Sequence, residues 1–256
     1  MAKVTGFLGI SFWMAIFFIR GWLFKLTVKD PVRQRIALAK NTSYISRQML
    51  KAFGIKVKVN HPENLLSLAS ENHLVIANHV SYVDILVLAS CHPLVFITSV
   101  EMAASPFLGD VTRIGGSLFT NRKKHTSLPQ EIRNFAAALT AGFNVVLFPE
   151  GTSTNGETIR EFRKSLFQTS IIASKPVLPI CVKYQTLDGK PFETQPERDI
   201  ICWYGEMSFV PHFFKLLGHK INAEVNVLSP IPFDPAVNRQ QLCDKVHALL
   251  LDTFHQ

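Results

Sequence analysis

The chain has 256 residues, 47% of them hydrophobic, with a slightly positive mean hydropathy and a formal charge of +8. That length buries a sizeable core, and the composition suits a globular protein that touches a membrane while excluding a polytopic one. The charge is concentrated: residues 1–60 hold eleven Lys and Arg against the single acid Asp30, whereas the rest hold sixteen against eighteen.

This basic segment surrounds the most apolar part of the chain, VTGFLGISFWMAIFFI at 4–19, followed by Arg20 and GWLF. A basic segment seeks nucleic acid or an anionic membrane. The apolar run, and the lack of any groove-reading or base-stacking motif, point to membrane lipids and away from nucleic acid. Sixteen residues fall short of the roughly 20 that span hydrocarbon. Extending to residue 24 reaches that length, with Arg20 near the end where it can snorkel. A short spanning helix and one that enters a single leaflet both fit. A signal peptide is a third reading, weakened by the lack of a small-x-small cleavage site. Trp13 and Trp22 read as interfacial anchors or as ordinary core aromatics.

Asp30 and Pro31 make an N-cap and first helical residue, and Gly54 a stop, so a helix is predicted over 31–53. Arg33, Lys40 and Arg47 recur every seven residues while apolar residues occupy other faces, as in a basic amphipathic helix beside a membrane or an ordinary surface helix. After Gly54 the texture changes. IKVKVN at 55–60 alternates like an edge strand. Further strands are predicted at 73–78, 94–100, 144–149, 176–184, 199–205 and 221–228, and helices at 82–90, 129–142, 164–174 and 238–254. Residues 121–128 and 185–198 read as loops. Apolar strands alternating with helices predict an α/β fold, a mixed sheet covered by helices on both faces. The expected division is a hydrophobic and amphipathic helical membrane arm at 1–54 and one catalytic-type domain at 55–256. Cys91, Cys181, Cys202 and Cys243 form no C-x-x-C pair and read as buried thiols in a reduced, cytosol-facing location.

Chemistry enters with IANHVSYVDI at 76–85. His79 follows a predicted strand and precedes a predicted helix, where α/β proteins present functional groups. Ser81 and Asp84 fit a capping box. Equally, Asp84 in the first helical turn can orient His79 as a base, as in catalytic triads. No G-x-S-x-G elbow or reactive cysteine accompanies them, so the simplest base mechanism activates a hydroxyl on the substrate. Two other stretches stand out. GGSLFTNRKK at 115–124 ends in a basic cluster, where Arg122 presents a fork suited to phosphate or carboxylate, or a solvated loop charge. FPEGTSTNG at 148–156 brings Glu150, Gly151 and Thr152, a carboxylate, a close backbone approach and a hydroxyl, to a strand end; a plain turn reads the same way.

Together NHVSYVD (78–84), GGSLFTNR (115–122), FPEGT (148–152) and VLPI (177–180) resemble, in order and spacing, the four blocks of the glycerolipid acyltransferases, especially the 1-acylglycerol-3-phosphate acyltransferases. The likeness covers about residues 55–230, and the basic hydrophobic arm is typical of that family. The resemblance implies acyl transfer from acyl-CoA or acyl-carrier protein, as co-substrate, to the hydroxyl of a lysolipid, at the cytoplasmic face of a bacterial inner membrane. It assigns His79 as general base and Asp84 as its partner. Arg122 would hold the acceptor head group, Glu150 and Gly151, with Thr152, would bind the acceptor, and Pro179 would shape the donor side. It implies no metal and no tightly bound cofactor.

Two positions depart from the phosphatidate-forming pattern: Ser153 stands where an arginine commonly follows FPEGT, and Ser165 where a glycine is usual. The serine-bearing pattern resembles members that acylate lyso-ornithine lipid. A lipid-binding protein that has lost catalysis and a hydrolase using the same dyad with water remain alternatives from other classes.

Overall fold

The computed structural model describes residues 2–121 and 125–256. Two long helices open the chain, α1 (Ala2–Thr27) and α2 (Pro31–Phe53). The ends of α2 follow from their residues. Asp30 Oδ1 accepts from the Arg33 N–H at 2.7 Å, and Pro31 occupies the first turn, where no N–H is needed. Gly54 closes the helix at φ +79°, and a Cβ there would lie 2.6 Å from the His219 carbonyl oxygen. Conformation and close approach both require glycine at that point.

Among the described residues, eight strands come after it: β1 (Ile55–Asn60), β2 (Leu74–Ala77), β3 (Val95–Ser99), β4 (Leu118–Thr120), β5 (Val145–Leu147), β6 (Val177–Leu187), β7 (Lys190–Pro191) and β8 (Ile221–Val227). They form one sheet in the order β1-β8-β6-β2-β5-β3-β4, with β7 hairpinned onto β6. The run from β6 to β4 is parallel, β8 is antiparallel to β6, and β1 is parallel to β8. The sheet is therefore mixed, and the basic strand β1 is its edge, as its alternation predicts.

The central strands are buried on both faces, which explains their unbroken apolar runs. Val75 and Ala77 of β2 point into a layer containing Ile45 and Met49 of α2 and Val83 and Val87 of the helix Val83–Cys91. Leu74 and Ile76 point the other way, towards Phe135 and Leu139 of the helix Leu128–Thr140 and Val246 and Leu250 of the helix Arg239–His255. The strand period of two thus feeds two cores from one segment.

On α1, Ile10 and Phe17 are buried, and a polar contact fastens this helix to α2. Asn41 Nδ2 donates to the Phe17 carbonyl at 3.2 Å, and Asn41 Oδ1 accepts from Arg20 Nε at 2.9 Å. Arg20 accordingly turns towards α2 and lies over the Tyr44 ring, 5.2 Å from its centroid. Among the described residues, α1 is the one helix long and apolar enough to cross a membrane. Its outer face exposes Val4, Leu8, Phe12, Ile19, Trp22 and Leu26, while Trp13 is half-buried against Tyr44.

Several expected elements differ. The apolar stretch at 199–205 is no strand: Ile201 and Cys202 are buried, but the chain is irregular and the Trp203 N–H donates to the Val80 carbonyl at 2.8 Å. A short apolar run buried by a loop contact has the composition of a strand. The expected loop at 185–198 is largely ordered, because β6 continues to Leu187, pairs with β7, and gives way to a helical turn at Gln195–Arg198. The predicted helix at 164–174 is a 3₁₀ turn, Lys164–Phe167, leading into Gln168–Ala173. The helix Phe209–Leu216 was not anticipated. All four cysteines are free, and burial pushes the Cys181 and Cys202 thiols up to about 12.

Asn78, at the end of β2, governs how the chain leaves the sheet. Its Nδ2 donates to the Val182 carbonyl at 2.9 Å, and its Oδ1 accepts from the Val182 N–H at 2.8 Å. The side chain replaces one rung of the sheet, so the backbone can leave the strand at His79 without orphaning β6. Asn78→Ala leaves both Val182 groups unpaired in the core. It is expected to lower stability by about 3 kcal/mol in urea unfolding of detergent-solubilised protein; a change below about 1 kcal/mol would contradict this role.

Candidate active site

Three adjacent strands, β6, β2 and β5, converge on the site. His79 leaves the carboxyl end of β2, Glu150 follows β5, and Tyr184 lies on β6. This is where parallel α/β sheets present functional groups.

Asp84 is fully buried. Its Oδ2 accepts from His79 Nδ1 at 2.9 Å, from the Val80 N–H at 2.7 Å and from the Ser81 N–H at 2.9 Å. Its Oδ1 accepts from the Tyr184 hydroxyl at 2.7 Å. A carboxylate accepting from His79 fixes the proton on Nδ1 and leaves the Nε2 lone pair for a reacting hydroxyl. The same Asp84 also performs the backbone half of a helix cap, since it takes the Ser81 N–H. Ser81 Oγ accepts from the Val83 N–H at 3.3 Å. Asp84 thus meets the His79 ring, but the full Ser81–Asp84 capping box is not formed: Tyr82 is the N-cap, and the Asp84 N–H donates to the Ser81 carbonyl and not to its hydroxyl. Tyr184 remains a neutral donor, because burial first, and the charge of Asp84 second, raise its pKa well above the ordinary value.

The His79 ring is largely covered and stacks on Phe148 at 4.2 Å between centroids. Its backbone is held from the FPEGT loop: Glu150 Oε1 accepts from the His79 N–H at 2.7 Å, and the His79 carbonyl accepts from the Thr154 N–H at 3.0 Å. Glu150 Oε2 accepts from the Arg160 N–H at 2.9 Å, so both carboxyl oxygens face inward and tie backbone. Gly151 has φ +77°, and a Cβ there would meet the Arg163 guanidinium at 2.5–3.0 Å. The missing side chain lets that cation lie flat on the loop. Arg163 makes no ion pair or side-chain hydrogen bond among the described residues. Thr152 is exposed beside it.

Ser153 is turned away from solvent. Its hydroxyl donates to the Trp203 carbonyl, while the Trp203 N–H binds Val80, so one residue links the FPEGT loop to the His79 loop. Pro179 of β6 pairs with Ile76 of β2. Arg122 lies outside the described residues. The structure thus brings together His79, Asp84, Glu150 and Gly151, and adds Asn78, Phe148, Thr154, Tyr184 and Trp203, which motif reading did not single out. Tyr184 carried a weak signal as a lone hydroxyl at the end of the apolar strand VLPICVKY. Among the described residues, no group of three or more His, Cys, Asp or Glu side chains is placed to hold a metal ion.

Burial pushes the Glu150 carboxyl up to about 7, and the Asp84 charge adds to this, against the lowering effect of the Arg160 and His79 N–H donors. Its folded pKa therefore lies above the ordinary 4.5, and the folded chain retains a proton that the unfolded chain has released. That contribution to stability is complete below pH 4.5 and is lost as pH rises to about 7. The melting-temperature advantage of the wild type over Glu150→Gln is expected to shrink across that window. Parallel melting curves across the same pH range would contradict the assignment.

A family model described as Acyltransferase matches residues 56–183. The chain is 31% identical over 203 residues to a lyso-ornithine lipid O-acyltransferase of Pseudomonas aeruginosa, covering 79% of this chain and 72% of that protein. A lyso-ornithine lipid O-acyltransferase of Rhizobium meliloti is 30% identical over 177 residues, 66% of this chain and 60% of the relative's length. A 1-acyl-sn-glycerol-3-phosphate acyltransferase of Neisseria meningitidis is 32% identical over 149 residues, 57% of this chain and 56% of that protein. The solved structure of the 1-acyl-sn-glycerophosphate acyltransferase PlsC from Thermotoga maritima shares the fold, with a TM-score of 0.67 at 17% identity over 100% of this chain and 97% of that one. With its mixed sheet, its four sequence blocks and these relatives, the chain belongs to the acyltransferase family.

Proposed function

We propose that the protein transfers a fatty acyl chain from an acyl thioester, carried by CoA or acyl-carrier protein, to the free hydroxyl of a lysolipid. The observation that carries this reading is His79, bound through Nδ1 to a buried carboxylate, with Nε2 unengaged among the described residues. Nε2 takes the hydroxyl proton as the oxygen attacks the thioester carbonyl. The carbon–sulfur bond then breaks, and the thiolate leaves with the proton returned by the imidazolium. General-base assistance of this kind contributes roughly 10²–10⁴-fold. Asp84 and Tyr184 position the base, and Glu150 and Thr154 hold its backbone.

Lyso-ornithine lipid is the favoured acceptor. Two relatives carry that name, and Ser153 offers no charge, its hydroxyl being spent on Trp203. The acceptor's anionic group is met by Arg163 above Gly151, with Arg122 and Thr152 as further binding residues. 1-Acylglycerol-3-phosphate is the second reading, supported by the same unpaired guanidinium and by the Neisseria relative. Residues 1–54 act as the membrane-associating arm and 55–256 as the acyltransferase domain, working at the cytoplasmic face of the bacterial inner membrane; the exposed apolar face of α1 supports this.

Wild type and His79→Ala are compared on lyso-ornithine lipid, lysophosphatidic acid and a neutral lysolipid, with acyl-CoA and with acyl-carrier protein. The wild type is expected to acylate lyso-ornithine lipid with the highest kcat/KM, and His79→Ala to lose at least roughly 100-fold. Thioester loss without an acylated lipid product would instead mark a hydrolase. A preference for lysophosphatidic acid would reverse the acceptor order.

A further inference from the structure

The apolar surface on α1 continues beyond that helix. Phe7 of α1 stacks on Phe214 of the helix Phe209–Leu216, with centroids 5.8 Å apart, and Phe214 is 50% exposed. Val210, one turn earlier, is 59% exposed. Further along α1, Phe18 packs on Phe107, at 6.0 Å, and Phe107 is 48% exposed. Phe107 also has φ +63°, a conformation that bulky residues adopt only when held there. Three segments distant in sequence therefore bring large apolar side chains to one face. Contiguous apolar surface of this kind marks an interaction site.

We propose that the helix Phe209–Leu216 and the Phe107 tip enter the lipid surface together with α1, so that the bilayer touches the protein directly above the His79 loop. This rests on the reading of α1 as membrane-associating. The occupant is lipid because the patch is continuous with the one helix, among those described, that is apolar enough for a bilayer. Exposed Lys3 and Lys215 at its rim suit anionic headgroups.

The inner side of the same short helix explains the placement. His212 is buried; its Nε2 donates to the Cys202 carbonyl at 3.0 Å, and its Nδ1 accepts from the Tyr82 hydroxyl at 3.2 Å. Tyr82 lies within NHVSYVD, between His79 and Asp84. One helix thus offers Val210 and Phe214 to lipid and His212 to the catalytic loop. A lysolipid held in the surface meets the base without leaving the interface.

The full chain, with Cys91→Ser, is labelled with an environment-sensitive fluorophore at Phe214→Cys, at Phe12→Cys on α1, or at Asp234→Cys as an exposed control. It is then mixed with phosphatidylglycerol vesicles carrying acyl-chain quenchers. Quenching and a blue shift at residues 12 and 214, but not at 234, are expected. Quenching at 12 alone would overturn the inference while leaving the α1 reading intact; quenching at neither would overturn both. In parallel, Val210→Ser with Phe214→Ser is expected to weaken vesicle binding roughly tenfold and to slow acylation of vesicle-borne acceptor, with detergent-micelle activity retained. Unchanged vesicle binding, or a dimer in solution that dissolves on these substitutions, would overturn the inference.

Discussion

The site depends on one buried carboxylate with four donors. Removing Asp84 from water costs on the order of several kcal/mol, a penalty offset only when its lone pairs are met. Here His79, the Val80 and Ser81 N–H groups and the Tyr184 hydroxyl meet them. The consequence is geometric: the end of β2, the first turn of the helix Val83–Cys91 and strand β6 are pinned to a single point. The Ser81 N–H just before the helix and the His79 ring are met by the same oxygen atom.

Around that point a second layer repeats the logic with backbone as the target. Glu150 ties the His79 and Arg160 amides, Asn78 replaces a rung between β2 and β6, and the Trp203 backbone joins Val80 to Ser153. The Glu150 and Asn78 side chains are buried and paired, which ties the His79 loop to the end of β5 and to β6. Ser153 serves this layer through its hydroxyl. A residue that reads in sequence as a lost head-group contact is, in the fold, a link between two active-site loops.

How much of this was legible in sequence depends on the range of each interaction. Local signals read cleanly: Asp30, Pro31 and Gly54 bounded α2, and the apolar runs at 73–78, 94–100 and 144–149 marked the shorter strands β2, β3 and β5 because both their faces are buried. His79 and Asp84 lie five apart and were visible as a pair, though spacing alone left cap and dyad undecided. Tyr184 carried only a weak signal and Trp203 none, because they reach the site through strand order and a loop crossing some hundred residues away. The stretch 199–205 misled because burial against the Val80 loop selects the same residues as burial in a sheet. The helix Phe209–Leu216 was missed for a related reason: in SFVPHFFKLL the proline and the aromatic crowding obscure the period.

The central claim is that Asp84 fixes His79 in the Nδ1–H tautomer and leaves Nε2 to accept a proton. The direct test is ¹⁵N NMR of protein labelled at its nine histidines, with the His79 signals assigned by difference from His79→Gln. At neutral pH, His79 is expected to show a protonated Nδ1 and an unprotonated Nε2, a pattern that collapses to mixed tautomers in Asp84→Asn. A proton resident on Nε2 in the wild type, or tautomers unchanged by Asp84→Asn, would contradict the account.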